Sequence, residues 1–390
     1  MSGPPQVEAR LQDHVAFGQG AVSRLPAIVE ELGGTRVLLV CGRRSFEASG
    51  AARVLPDLER VATVTRWDAF SPNTDAEDLG RGLELLAEVE PDVVLGVGGG
   101  SAMDMAKLLC AFEGVAPGRE LLEAINEGAR VERRRPALVL VPTTSGSGSE
   151  ATHFAVLYVG HAKHSVAGPA MRPDRVVLDP DLSASASARQ RAASGIDALC
   201  QAIESRWAAA ATDESREHAR AGLRLTLEHL ETFVVDPGPH AARGMALGSH
   251  LAGRAIDVSK TTAAHALSYG ITKRHGVPHG HAVALTLGAF IEDHAGAGVE
   301  DLQPGISPEE HAAAVEEVLE SLGASDGAEA SARWDQLMER IGLEPRLPRL
   351  CGGDPAELAT LAATVNVERL SNNPMRLDED GLRRILARSG

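Results

Sequence analysis

The sequence predicts an α/β domain followed by an all-helical one. Three observations carry that prediction. Short β-branched runs alternate with helical patterns up to about residue 180; Ala, Leu, Arg and Glu dominate after Ser183; and the second half is interrupted by Gly/Pro breaks with hardly any run of strand type. Strands that alternate with helices of ordinary length fold as a parallel sheet covered by helices. The expected division is 1–184 for the α/β domain and 185–390 for the helical one.

Taken in order, RVLLV at 36–40, DVVLGV at 92–97, ALVLV at 137–141 and RVVL at 175–178 read as buried parallel strands, because they are continuously apolar rather than alternating. Residues 23–32, 76–89 and 102–112 carry helical spacing between them. Linkers are expected at 179–187, 236–239 and 303–308, where Gly, Pro, Ser and Ala cluster. The N-terminal MSGPPQVEARLQDHVAFGQG lacks an apolar stretch of signal-peptide length, and no later apolar run is long enough for a bilayer, so a soluble cytoplasmic protein is expected.

Composition narrows the partners. The chain has 390 residues, 44% hydrophobic and only 3% aromatic, so a large core must be built from Ala, Val, Leu and Ile. A formal charge of −16 argues against nucleic acid and anionic membrane as partners, while a local cationic patch still permits a small anionic substrate. Room is left for a homodimer. Cys41, Cys110, Cys200 and Cys351 are scattered without CxxC spacing, which fits reduced thiols.

Two glycine- and hydroxyl-rich stretches follow predicted strands. In GVGGGSAMDMAK (96–107), Gly98, Gly99 and Gly100 permit close backbone approach to a phosphate, and Ser101 opens a helix whose free amides face the same anion. The spacing is not GxGxxG, so the common dinucleotide fingerprint does not apply. In PTTSGSGSE (142–150), Thr143, Thr144 and Ser147 stand at the carboxyl end of a buried strand, where open α/β sheets bind ligands. A third stretch, SKTTAAHALSYGITKRHGVPHGHAVA (259–284), holds His265, His275, His279 and His281. Imidazole is the commonest protein ligand for divalent transition metals, and Asp197 in GIDALCQAIES offers a carboxylate from an upstream apolar helix.

GGGSAMDMAK, PTTSGSGSE, GIDALCQAIES, AAHAL and VPHGHAVAL, in this order and spacing, resemble the iron-dependent (group III) alcohol dehydrogenase family, and the similarity runs to VERLSNNPMRL near the C-terminus. The resemblance implies an N-terminal Rossmann-like parallel-sheet dinucleotide-binding domain, a helical metal and substrate domain, and an active site in the cleft between them. Carried over by position, the metal ligands (Fe²⁺ or Zn²⁺) fall on Asp197, Gln201, His265 and His279. Gln201 stands where the family has His and is a weaker donor, so His281 is a substitute candidate. The family's proton-relay His falls on Tyr269, with His281 as competing donor. Gly98, Gly99, Gly100, Ser101, Asp104, Thr143, Thr144, Ser147 and Lys163 would hold the cofactor. Gly42 replaces an expected ribose-binding Asp at the end of RVLLVC, and Arg43 or Arg44 could pair with a 2′-phosphate, so NADP is expected at least as readily as NAD.

Within the family, DALCQAIES, KTTAAHALSY and VPHGHAVALTLG resemble the phosphonoacetaldehyde reductases of phosphonate natural-product pathways. That implies a small anionic aldehyde as substrate, with Lys260 and Thr262 as candidate contacts. Lys260 is expected to lie about 7.5 Å before His265 on a continuous helix. The alternatives are a general short-chain alcohol or lactaldehyde dehydrogenase of the same family, a metal-dependent cyclase such as dehydroquinate synthase, and a catalytically silent cofactor-binding sensor.

Overall fold

A computed structural model describes residues 11–127, 136–160, 162–365 and 367–389, with the side chains of 367–369 left aside. The chain forms two compact units, 1–186 and 187–390.

The first unit is a six-stranded parallel sheet in the order β1-β8-β5-β4-β2-β3. Its strands are β1 (Val15–Phe17), β2 (Arg36–Cys41), β3 (Thr63–Trp67), β4 (Val93–Gly98), β5 (Ala137–Pro142) and β8 (Arg175–Leu178). The predicted runs form the middle of this sheet because both of their faces are buried. Leu38, Val40, Val94, Leu138 and Leu140 face one apolar cluster, and Val37, Leu39, Val93, Leu95, Val97, Val139 and Val141 face the other. Helices α1 (Leu25–Glu31), α2 (Ser45–Ala48) and α3 (Leu55–Val61) contribute to the second cluster, and α4 (Ala76–Val89), α5 (Gly100–Ala111) and α6 (Arg119–Asn126) to the first. The sheet is thus doubly wound.

The sequence reading passes over β1, β3 and an antiparallel hairpin of β6 (Phe154–Val159) and β7 (Ala162–Ala167). In β3, TVTRW exposes Thr63 and Arg66 at the sheet edge, so no continuous apolar run marks it. The expected linker at 179–187 contains a short helix, α7 (Pro180–Ala184), capped by the Asp179 side chain.

In the second unit every labelled element is helical: α8 (Ala188–Trp207), α9 (Asp213–Val235), α10 (Pro239–Ser259), α11 (Ala263–His275), α12 (His279–Gly296), α13 (Pro308–Leu322), α14 (Gly327–Arg340), α15 (Leu347–Cys351), α16 (Pro355–Ala363) and α17 (Glu379–Arg388). Helix α8, capped by Ser187, is its axis. From Gly195 to Trp207 every residue is buried, so polar side chains on it need internal partners. Among the described residues no helix is long and apolar enough to cross a membrane.

Candidate active site

Asp197, Gln201 and Glu204 stand at i, i+4 and i+7 of α8, which aligns them on one stripe of a buried helix. Helix α11 brings His265 to this stripe, and the first residue of α12 brings His279. His265 Nε2 lies 3.4 Å and His279 Nε2 3.9 Å from Asp197 Oδ1. One ligand atom from each of the three residues lies within 4.8 Å of the other two. Two of these atoms are orphans: Asp197 Oδ1 and His265 Nε2 are buried without a hydrogen-bond partner. Buried polar atoms are rarely left so, and two imidazole nitrogens converging with a carboxylate oxygen are a donor set that suits a divalent transition metal.

Surrounding groups hold each corner. Gln201 donates from Nε2 to Asp197 Oδ2 at 3.3 Å, which turns Oδ1 towards the imidazoles. Ser268 Oγ sits 3.2 Å from His279 Nδ1, and Tyr269 stacks on the same ring with centroids 5.5 Å apart and planes 10° from parallel. Glu204, wholly buried, is the group that sequence reasoning missed. Its Oε2 bonds His265 Nδ1, which fixes a proton there and leaves Nε2 as the nitrogen that faces Asp197. Its Oε1 accepts from the backbone N–H of Thr262 (3.1 Å), Ala264 (3.1 Å) and His265 (3.4 Å) and from Thr262 Oγ1 (2.6 Å), so a carboxylate from α8 caps the amino end of α11. A signal existed in the sequence, since a Glu seven residues after Asp197 on an apolar helix must share its face.

Burial works against charge at His265, but Glu204 and Asp197 overrule it and raise its pKa to about 9. Burial likewise opposes the Asp197 carboxylate, yet His279 and His265 hold its pKa below the usual value. Gly280 permits the close approach. A Cβ there would strike the carbonyl oxygen of Ala193 and lie 2.5 Å from Asp197 Cβ.

The other candidates fall elsewhere. His281 turns away, its Nε2 2.8 Å from the Glu344 carbonyl, and burial lowers its pKa. It is absent from the cluster because residues i and i+2 of a helix do not share a face. Lys260 is not on a helix continuous with His265. Helix α10 ends at Ser259, Lys260 takes φ +59°, and α11 starts only at Ala263, which overturns the 7.5 Å axial expectation. Its Nζ donates to Asp257 O at 3.1 Å, and Asn372 Nδ2 clamps the connection through Ser259 O (2.8 Å) and Thr261 O (2.9 Å). Thr262 is buried, its hydroxyl on Glu204.

In the first unit the expected cofactor residues gather at the carboxyl ends of β2, β4 and β5. The chain runs from β2 out to β3 and then returns to β4 on the other side of β2, so the β2/β4 boundary is the topological switch point at which such sheets bind ligands. Gly42 and Gly98 flank it. A Cβ on Gly98, whose φ is +158°, would meet Ala102 Cβ at 2.7 Å and Gly42 N at 3.6 Å. Thr144 stands over Gly99 and Ser147 over Gly100, while the Thr143 amide donates to Gly98 O at 2.8 Å. Ser101 Oγ accepts from Asn73 N at 3.2 Å. Asp104 acts as a clasp, since its two oxygens accept from Ser149 Oγ (2.5 Å) and Val156 N (3.0 Å). Lys163 lies on β7 opposite Tyr158.

A family model described as iron-containing alcohol dehydrogenase matches residues 13–180, and the C-terminal model of the Fe-containing alcohol dehydrogenase family matches 191–390. The chain belongs to the iron-containing alcohol dehydrogenase family and is an oxidoreductase of that family, whose members bind NAD(P) and a divalent metal. The phosphonoacetaldehyde reductase of Streptomyces viridochromogenes is 36% identical over 77% of both chains. Long-chain-alcohol dehydrogenase 1 of Geobacillus thermodenitrificans is 29% identical over 94% of this chain and 93% of its own. The sulfoacetaldehyde reductase of Bifidobacterium kashiwanohense, solved in complex with NAD+, superposes with a TM-score of 0.83 at 28% identity, covering 95% of each chain.

Proposed function

We propose that this chain reduces a two-carbon aldehyde with an anionic head, phosphonoacetaldehyde, to 2-hydroxyethylphosphonate, as a step in phosphonate natural-product biosynthesis in the cytoplasm, using hydride from a reduced nicotinamide. The observation that carries the reductase reading is the convergence of Asp197, His265 and His279 on two buried atoms without partners. Those three residues would hold Fe²⁺ or Zn²⁺, which when bound polarises a carbonyl as a Lewis acid. Around it, Glu204 keeps the His265 proton on Nδ1, Gln201 turns Asp197, and Ser268 steadies His279. Tyr269, stacked on His279, is favoured as proton donor over His281, whose Nε2 already faces a backbone carbonyl.

The substrate class rests on two relatives whose names share a chemistry: phosphonoacetaldehyde and sulfoacetaldehyde are both two-carbon aldehydes with a tetrahedral anionic head. Lys260 is the cation proposed to meet that head, its main chain held by Asn372. The cradle of Gly98, Gly99, Gly100 and Ser101 is assigned to the cofactor diphosphate, with Thr143, Thr144, Ser147 and Lys163 as further contacts and Asp104 as support. Exposed Arg43 and Arg44 after Gly42 favour acceptance of NADPH. The reading is tested by assaying phosphonoacetaldehyde, sulfoacetaldehyde and propanal with Fe²⁺, with Zn²⁺ and without metal. In the Lys260→Ala enzyme, kcat/KM for the anionic aldehydes should fall about ten- to a hundredfold, as for loss of one charge-assisted bond, and that for propanal should stay within about threefold. Equal turnover of charged and uncharged aldehydes by the wild type would favour a general alcohol dehydrogenase instead.

A further inference from the structure

The hairpin of α9 and α10 carries a second cluster of ligating side chains that shares no residue with the first. Glu228 and His229 lie near the end of α9, His240 is the second residue of α10, and only the turn 236–238 separates the helices. One ligand atom from each of the three lies within 4.8 Å of the other two. His229 Nε2 stands 3.8 Å from Glu228 Oε1, and the His229 and His240 rings meet edge to face with centroids 4.8 Å apart.

His229 makes this more than a chance gathering of surface groups. Its side chain is 4% exposed, and its Nε2 is buried without a hydrogen-bond partner while Glu228 and His240 remain exposed beside it. A buried imidazole nitrogen left so is uncommon, because a lost hydrogen bond in a dry place costs about 1–3 kcal/mol. The ring is also held in place by a glycine. Gly244, one turn along α10 from His240, would drive any Cβ into the His229 ring, so the imidazole lies flush against a bare stretch of backbone. One fixed buried nitrogen, one exposed imidazole and one exposed carboxylate make a half-rigid N₂O set. That donor set suits Zn²⁺.

We propose that Glu228, His229 and His240 form an accessory Zn²⁺ site that clips α9 to α10 and plays no part in the reaction. Burial lowers the pKa of His229, so the imidazole is neutral and ready to ligate at pH 7. The clip joins residues on either side of a turn that is otherwise closed by backbone bonds, Asp236 N to Thr232 O (2.7 Å) and Gly238 N to Asp236 O (2.7 Å).

The test is metal stoichiometry on the untagged full-length enzyme, dialysed against buffered micromolar Zn²⁺ and counted by mass spectrometry, in the wild type and in His240→Ala. The wild type should hold one Zn²⁺ per chain more than His240→Ala, with aldehyde turnover equal in both. Co²⁺ should report the same difference as a loss of ligand-field absorbance. The difference between the two proteins is the reading, so it stands whether or not the Asp197, His265 and His279 cluster fills under the same conditions. Glu228→Gln should weaken the accessory site about tenfold, since it replaces an anionic ligand with an amide. Equal Zn²⁺ content in wild type and His240→Ala would overturn the proposal.

Discussion

Gly280 is where one added methyl group should do most damage to the candidate site. In Gly280→Ala the new Cβ would press on the Ala193 carbonyl and lie 2.5 Å from Asp197 Cβ, where carbon atoms settle at about 3.5–4.0 Å. Neither neighbour can swing aside, because one is backbone of α8 and the other is fixed to it. Helix α12 must therefore retreat by about 1 Å. His279, the adjacent residue, moves with it, although ligand atoms around a metal tolerate only about 0.2 Å. A misplacement of this size costs on the order of a hundredfold in rate, so metal affinity and kcat/KM should each fall at least that far. Overpacking itself costs about 1–3 kcal/mol, which a chain of this size survives as a folded protein. The assays are metal content after dialysis and NAD(P)H oxidation, with cofactor fluorescence titration as a check that the first unit is intact. Gly296→Ala is the internal control: it lies at the other end of α12, has open space around it, and should leave both readings unchanged. Gly280→Ala enzyme that keeps its metal and stays within threefold of wild-type kcat/KM would refute the reasoning.

Glu204→Gln should lower metal affinity about ten- to a hundredfold, because an amide must turn its NH₂ towards either the His265 Nδ1 proton or the amides at the start of α11; an unchanged metal titration would count against the carboxylate's role. Gly42→Asp should shift the NADH/NADPH ratio of kcat/KM towards NADH by about tenfold, provided Ser45 Oγ rotates away from the new side chain, and a ratio unmoved by the carboxylate would mean that the ribose lies elsewhere. His294 and His311 share a 2.8 Å ring-to-ring hydrogen bond; burial, reinforced at His294 by the charge of His311, lowers both pKa values. The unfolded chain therefore takes up protons below pH about 6.5 that the folded one does not, so stability is fully present above that pH and declines as pH falls towards the folded values. Denaturant unfolding between pH about 7.5 and 5 should show this slope in the wild type and a shallower one in the double variant His294→Phe, His311→Leu, and equal slopes would exclude the pair as its source.

What could be read from the sequence follows burial. The four central strands were legible because burial on both faces writes a continuous apolar run, whereas edge strand β3 and strand β7 mix exposed and polar residues and write none; β6, FAVLYV, is as apolar as the central strands and was passed over all the same. His265 and His279 announced themselves by clustering, and Asp197 by standing charged on an apolar helix. The reading of His281 as a spare ligand ignored helix geometry, which sends i and i+2 to different faces. The expectation of one continuous helix from Lys260 to His265 failed for a reason no local pattern contains. The chain breaks there because Asn372, more than a hundred positions away, holds Ser259 O and Thr261 O, and Glu204 holds Thr262.

That break ties the proposed anion contact to the metal corner. One carboxylate on α8 accepts from the Thr262 amide and hydroxyl at the end of the Lys260 connection, from the first turn of α11, and from the ring nitrogen of His265. Each bond alone is an ordinary cap or orientation contact. Because all of them converge on a side chain with no exposure, none can relax without leaving a charge or an amide buried and unpaired, which is the more costly outcome. The Thr262 end of the connection and the Nδ1 side of His265 are therefore held by the same buried group, and a shift in the 260–262 connection reaches His265 through Glu204 without passing through solvent.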